Sequence, residues 1–213
     1  MPVSTASVML DRTRAQKAYI DAYDFAEPLI FIDTDMLLNQ DLGPLFEQDF
    51  DIGLTWRPLA AEPINGGLIL VNNRRPAEAR AFFDEFLALY EQSFSEQATW
   101  FGDQAALCRL LDVPAHGTEL PRPQRLGAAR IQFFPCDTFN FTPLNHAAAL
   151  ASPLDDKAVL HFKGPRKWMM HLYWQAYLAP REATRGAQES GRAARELIAA
   201  MVQSETAPSR DGD

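Results

Sequence analysis

Cysteine is scarce in this chain: 213 residues contain two, Cys108 and Cys136, with no CxxC or CxxxH spacing. That excludes a disulfide framework or a cysteine zinc site, and the pair reads as free, partly buried thiols in a reducing compartment. Long apolar runs are missing too. No stretch approaches the ~20 residues that a membrane-spanning helix needs, and the opening MPVSTASVMLDRTR has no apolar signal core. A cytoplasmic protein is expected. Basic residues are the minority, 20 Lys and Arg against 28 Asp and Glu, for a net charge of −8. A nonspecific nucleic-acid binder is therefore not expected.

With 47% hydrophobic residues the composition is that of a globular protein, which rules out a disordered or fibrous chain. No repeat or low-complexity linker divides it. The expectation is a single domain over residues 1–180, a C-terminal helix over 181–203 and a disordered tail over 204–213.

Apolar spacing predicts helices over Asp11–Tyr23, Ala77–Phe94, Gly102–Leu111 and Trp168–Leu178, and a last Ala/Arg/Glu helix from Arg181. Leu29-Ile30-Phe31-Ile32 reads as a strand buried on both faces. Further strands are predicted over Asp51–Trp56, Gly67–Val71, Ile131–Phe134 and Ala158–Phe162, and Pro58, Pro63 and Asn65-Gly66-Gly67 mark a loop. Strands alternating with helices predict an α/β fold with a mostly parallel sheet flanked by helices, ligands binding beyond the strands' carboxyl ends.

Four segments carry candidate chemistry. Asp33-Thr34-Asp35 follows the first strand, where side chains two apart face the same way and a divalent cation would satisfy both carboxylates. A solvated turn is the plainer explanation of that pair alone. His161 ends a strand and runs into Lys163-Gly164-Pro165-Arg166-Lys167, an imidazole followed by three cations in an acidic protein. Such a cluster suits a metal-bound leaving diphosphate, the alternative being a buried histidine beside a solvated basic loop. Asn65-Gly66-Gly67 offers an amide and close backbone approach to a sugar, or simply a hairpin turn. Asp103-Gln104 places an acid beside an amide, or caps a helix.

The order of these segments is more specific than any one of them. Phe31-Ile32-Asp33-Thr34-Asp35, Ile64-Asn65-Gly66-Gly67, Asp103-Gln104, Phe134-Pro135 with Asn140, and His161-Phe162 through Lys167-Trp168 together resemble the GT-A glycosyltransferases of the glycogenin and lipopolysaccharide galactosyltransferase type, glycosyltransferase family 8. The resemblance covers Asp11 to Trp174. It implies a GT-A fold and retaining transfer of a sugar from a nucleotide diphosphate donor, such as a UDP-sugar, to a glycan or other hydroxyl acceptor. It also implies Mn²⁺ (or Mg²⁺) on Asp33, Asp35 and His161. Lys167 and Gly164 would meet the diphosphate, and Asn65, Gly66, Gly67, Asp103 and Gln104 the donor sugar, with Asp103 and Gln104 in the catalytic role. Lys17, 16 positions before Asp33, stands where the family has a further diphosphate-side lysine.

Two departures accompany the resemblance. Trp168 follows Lys167 directly, where the family has Lys-Pro-Trp. The chain also opens almost at the Lys17 helix, whereas the family begins with elements that build the base pocket, so an N-terminally truncated chain or a lost pocket is expected. A lost pocket would make the chain a non-catalytic binding module. Apolar surface left by a missing layer would suit a homodimer. A haloacid-dehalogenase-like phosphatase is a further alternative, with Asp33-x-Asp35 as its acid pair and Asp155, Asp156 and Lys163 as its later residues. Met36-Leu37 fits that family poorly.

Overall fold

The computed structural model describes residues 8–94, 101–182 and 184–206. In chain order the elements are α1 (Val8–Ala22), β1 (Leu29–Ile32), β2 (Met36–Leu38), β3 (Ile52–Trp56), β4 (Ile64–Val71), α2 (Pro76–Phe94), α3 (Gly102–Leu110), β5 (Gln124–Leu126), β6 (Ala129–Pro135), α4 (Cys136–Phe139), β7 (Val159–His161), α5 (Lys167–Tyr173) and α6 (Arg185–Thr206). Of the tail predicted over 204–213, Ser204 to Thr206 close α6 and 207–213 lie outside the described residues. Two compact units result. One joins the chain up to Asp33 with Leu42–Asn140, and the other joins Thr34–Asp41 with the chain from Phe141.

The first unit is the α/β layer expected from the sequence. Its sheet has the order β1-β4-β3-β6-β5. The sheet is mixed: β3 and β6 run parallel, and the other three neighbouring pairs are antiparallel. Two of the antiparallel pairs are direct returns, β3 to β4 through a proline-containing loop and β5 to β6 through Gly127; β1 meets β4 only after β2 and β3 have intervened, and the parallel pair is reached by way of α2 and α3. Ile52, Leu54 and Trp56 alternate along β3 and pack, with Ile69, Val71, Ile131 and Phe133, against Ile20 of α1, Phe82, Phe83, Phe86 and Tyr90 of α2, and Leu107 of α3.

Two details differ from the sequence reading. β1 stands at the sheet edge and is only half-buried, with Ile32 42% exposed, while all eight residues of β4 are buried. An unbroken apolar run marks two-sided burial only where a strand has neighbours on both sides. Asn65-Gly66-Gly67 lies within β4 and not in a loop. Leu54 pairs with Ile69 but Thr55 pairs with Asn65, so β4 bulges across the glycines. Glycines inside a strand serve this purpose, since the extra residues need a backbone that bends and approaches closely.

The second unit is built on a two-stranded antiparallel ribbon, β2 with β7. Met36 pairs with His161, Leu37 with Leu160 and Leu38 with Val159. Leu160 and Phe162 pack with Met169 and Tyr173 of α5 and with Ala194 and Ile198 of α6. Thr184 caps α6, its hydroxyl accepting from the Ala187 amide. Inside α6, Gly191 sits where a Cβ would collide with the Pro180 ring and lie 3.1 Å from the Gln175 carbonyl oxygen, whereas a Cβ on Gly186 meets nothing within 4 Å. Gly191→Ala is therefore expected to destabilise by about 1–3 kcal/mol through overpacking, against the stabilisation that Gly→Ala ordinarily brings to a helix. Gly186→Ala should stabilise. Urea denaturation of the two variants checks the opposite signs.

Candidate functional site

In the second unit, Asp35 immediately precedes the ribbon strand β2, and its backbone oxygen accepts from the Phe162 amide at 2.8 Å. The ribbon thus carries Asp35 to the end of β7, where His161 is buried. His161 Nε2 lies 3.2 Å from Asp35 Oδ1, and Lys167 Nζ lies 3.4 Å from Asp35 Oδ2. The Lys167 side chain is 63% exposed against 15% for Asp35, so a partly buried carboxylate meets an accessible cation. Gly164 has φ +63°, and a Cβ there would meet nothing within 4 Å among the described residues. The left-handed turn there starts the helical segment that brings Lys167 to the head of α5.

In the first unit, Arg12 of α1 gathers the acids. Its guanidinium donates to Asp33 Oδ1 at 2.5 Å and to Asp103 Oδ2, and lies 3.5 Å from the Gly66 carbonyl oxygen. Asp103, at the start of α3, is buried, and burial pushes its carboxyl above the usual carboxylate range while Arg12 pulls it back. Among the described residues, Asp103 Oδ1 and Arg12 Nε are buried with no hydrogen-bond partner. The β4 bulge brings Gly66 so near that a Cβ would lie 2.5 Å from Asp103 Oδ2. Tyr90 is affected as well, its phenol pushed up to about 12 by burial first and by the Asp103 charge second.

Around the bulge, Asn65 is tied into a buried amide network. Its Oδ1 accepts from the Gly67 amide at 3.0 Å and from Asn140 Nδ2 at 3.0 Å, and Asn140 also donates to Thr55 Oγ1 at 2.8 Å. Gln104 Oε1 accepts from Arg57 at 3.3 Å, and Arg57 is braced on the Glu62 carbonyl oxygen. Gly67 accepts from the Asp33 amide at 2.9 Å, which extends the β1–β4 pairing to the first acid.

Of the residues predicted from sequence, the structure gathers Asp33, Asn65, Gly66, Gly67, Asp103 and Gln104 in the first unit, and Asp35, His161, Gly164 and Lys167 in the second. Lys17 is placed elsewhere. Its ammonium pairs with Asp21 and with Asp84 at 2.9 Å, which raises its pKa, the Asp21 hydrogen bond first. The α1 cation beside Asp33 is Arg12, which the sequence reading passed over. Sequence spacing alone did not mark it: only in the folded helix are its neighbours Thr13 and Gln16 buried. Asp155 and Asp156, the later acids of the phosphatase alternative, face Arg181 at 3.6 Å and Lys157 at 3.0 Å.

No protein-family model and no curated protein sequence matches this chain. Among solved structures, a glycosyltransferase involved in the glycosylation of the major capsid of PBCV-1 is similar with a TM-score of 0.52 and 13% identity, over 81% of this chain and 79% of that one. The apo-form glycosyltransferase GlyE of Streptococcus pneumoniae TIGR4 is matched over 93% of this chain and 48% of its own length, at 16% identity and a TM-score of 0.42. At 13% identity the first likeness is one of fold: the chain has an α/β fold that a glycosyltransferase also has. Among the described residues no helix is long and apolar enough to cross a membrane.

Proposed function

We propose that this chain is a metal-dependent glycosyltransferase that moves a sugar, with retention, from a nucleotide diphosphate donor such as a UDP-sugar to an acceptor hydroxyl. One observation carries the reading: a partly buried carboxylate, Asp35, faces the buried imidazole of His161 and the ammonium of Lys167. The fold likeness and the family-8 resemblance of the motifs agree with it.

Asp33, Asp35 and His161 are the residues that would hold the cation. Two carboxylates and an imidazole suit Mn²⁺, which accepts both oxygen and nitrogen ligands, and accommodate Mg²⁺ less well. Bound there, such an ion supplies Lewis-acid neutralisation of a departing diphosphate. Lys167 adds an accessible positive charge for the same oxygens, a charge-assisted bond stronger than a neutral one. Asp103 and Gln104 orient the donor sugar. The unpartnered Asp103 Oδ1 accepts a sugar hydroxyl, and the carboxylate stabilises positive charge developing at the reacting carbon. Asn65 is held rigid by Asn140 to present its amide group, and Gly66, having no Cβ, leaves room for the Asp103 carboxylate. Lys17 has no part here, being engaged by Asp21 and Asp84.

The test is a thermal shift with UDP and Mn²⁺ together, followed by UDP-sugar hydrolysis with and without the metal. Stabilisation that needs both components, and hydrolysis that needs Mn²⁺, are expected. No shift at millimolar UDP would return the chain to a non-catalytic binding module. Covalent trapping by beryllium fluoride would return it to the phosphatase class.

A further inference from the structure

The exposed side chains of Lys167 to Trp174 are Lys167, Trp168, His171 and Trp174. Residues three and four apart share a helix face, so these four line one side of α5 and its continuation. The two indoles are 39% and 42% exposed, a large aromatic area to leave uncovered. They are also ordered. Trp168 Nε1 donates to Asn145 Oδ1 at 3.1 Å, and the His171 and Trp174 rings lie nearly parallel, 18° apart with centroids at 6.1 Å.

We propose that this strip is the platform on which the acceptor saccharide lies; the inference rests on the glycosyltransferase reading and names its second substrate. Each exposed side chain of the strip carries an N–H group beside or around its apolar part, and none is aliphatic. That combination matches a pyranose, which offers an apolar C–H face to a ring and hydroxyls at its rim. A lipid surface asks instead for a broad face of aliphatic anchors. The strip is also continuous with the site: its first member, Lys167, has its ammonium 3.4 Å from Asp35. A sugar chain seated from Trp174 towards Lys167 would point one end at the carboxylate–imidazole pair.

Two measurements test this. In ¹⁵N spectra of the full chain, the indole N–H signals of Trp168 and Trp174 should shift on titration with neutral oligosaccharides (maltotriose, cellotriose, lactose or the best binder from a glycan array), and Trp174→Ala should remove the binding. In transfer assays with that acceptor, Trp168→Ala and Trp174→Ala should each raise acceptor KM at least tenfold, far more than they alter acceptor-free UDP-sugar hydrolysis. Leu197→Ala, at an exposed position on α6, serves as the control. No saccharide-dependent shift, or an unchanged acceptor KM in both tryptophan variants, overturns the platform. So does binding to phosphatidylglycerol vesicles that Trp174→Ala abolishes while acceptor KM stays constant. Saccharide binding at the indoles without any Mn²⁺-dependent hydrolysis would keep the platform and overturn the transferase reading.

Discussion

Asp35→Asn is expected to lower Mn²⁺-dependent kcat/KM by about 100-fold or more, the effect of several kcal/mol of lost charge stabilisation. Asparagine keeps the shape and removes the charge that faces both His161 Nε2 and Lys167 Nζ. The metal-free protein should fold as before, because the Asp35 backbone oxygen, and not its side chain, binds the Phe162 amide. Lys167, left alone, is well exposed and bears little penalty. Metal affinity from Mn²⁺ electron paramagnetic resonance titration should fall together with activity, while the unfolding free energy from urea denaturation without metal stays within about 1 kcal/mol of wild type. Full activity in Asp35→Asn would sink the metal assignment.

Arg12→Ala should produce the largest loss of stability, about 3 kcal/mol, at the low end for breaking a buried ion pair because the arginine is a quarter exposed. The damage comes from Asp103, whose side chain is 3% exposed and which keeps its charge site without its guanidinium. The pH dependence has a definite sign. Burial already holds the folded-state pKa of Asp103 above its unfolded value. A group raised in this way contributes stability in acid that is lost as pH rises through the folded pKa. Without Arg12 that pKa climbs further, so the deficit of Arg12→Ala should be small in acid and widen towards neutrality. Adding Asp103→Asn to Arg12→Ala should recover most of it, which urea denaturation of the double-mutant cycle measures. A deficit independent of pH and untouched by Asp103→Asn would place the damage elsewhere in α1.

The sequence carried the α/β class and most of the helices, since their apolar stripes depend on local spacing alone. It also drew together residues that the structure gathers within each unit, because motif order survives where geometry is hidden. What it did not carry was set by partners distant in the chain. The edge position of β1 depends on which strands lie beside it. The bulge in β4 depends on its register against β3, so Asn65-Gly66-Gly67 looked like a turn. β2 has three residues and no periodicity to detect, yet its pairing with β7 delivers Asp35 to His161. Arg12 and Lys17 lie five positions apart on one helix, and only the opposing elements decide which meets Asp33 and which meets Asp84.

The β2–β7 ribbon has a consequence for how this protein tolerates change. Two short strands clamp the acid to the imidazole by main-chain bonds, so everything between Gln40 and Ala158 forms one large closed excursion with respect to that clamp. Lengthening such an excursion costs little, since closure entropy grows only logarithmically with its size. The surface turn at Gly127, with open space around it, is therefore a place where foreign sequence can be carried while Asp35 stays against His161.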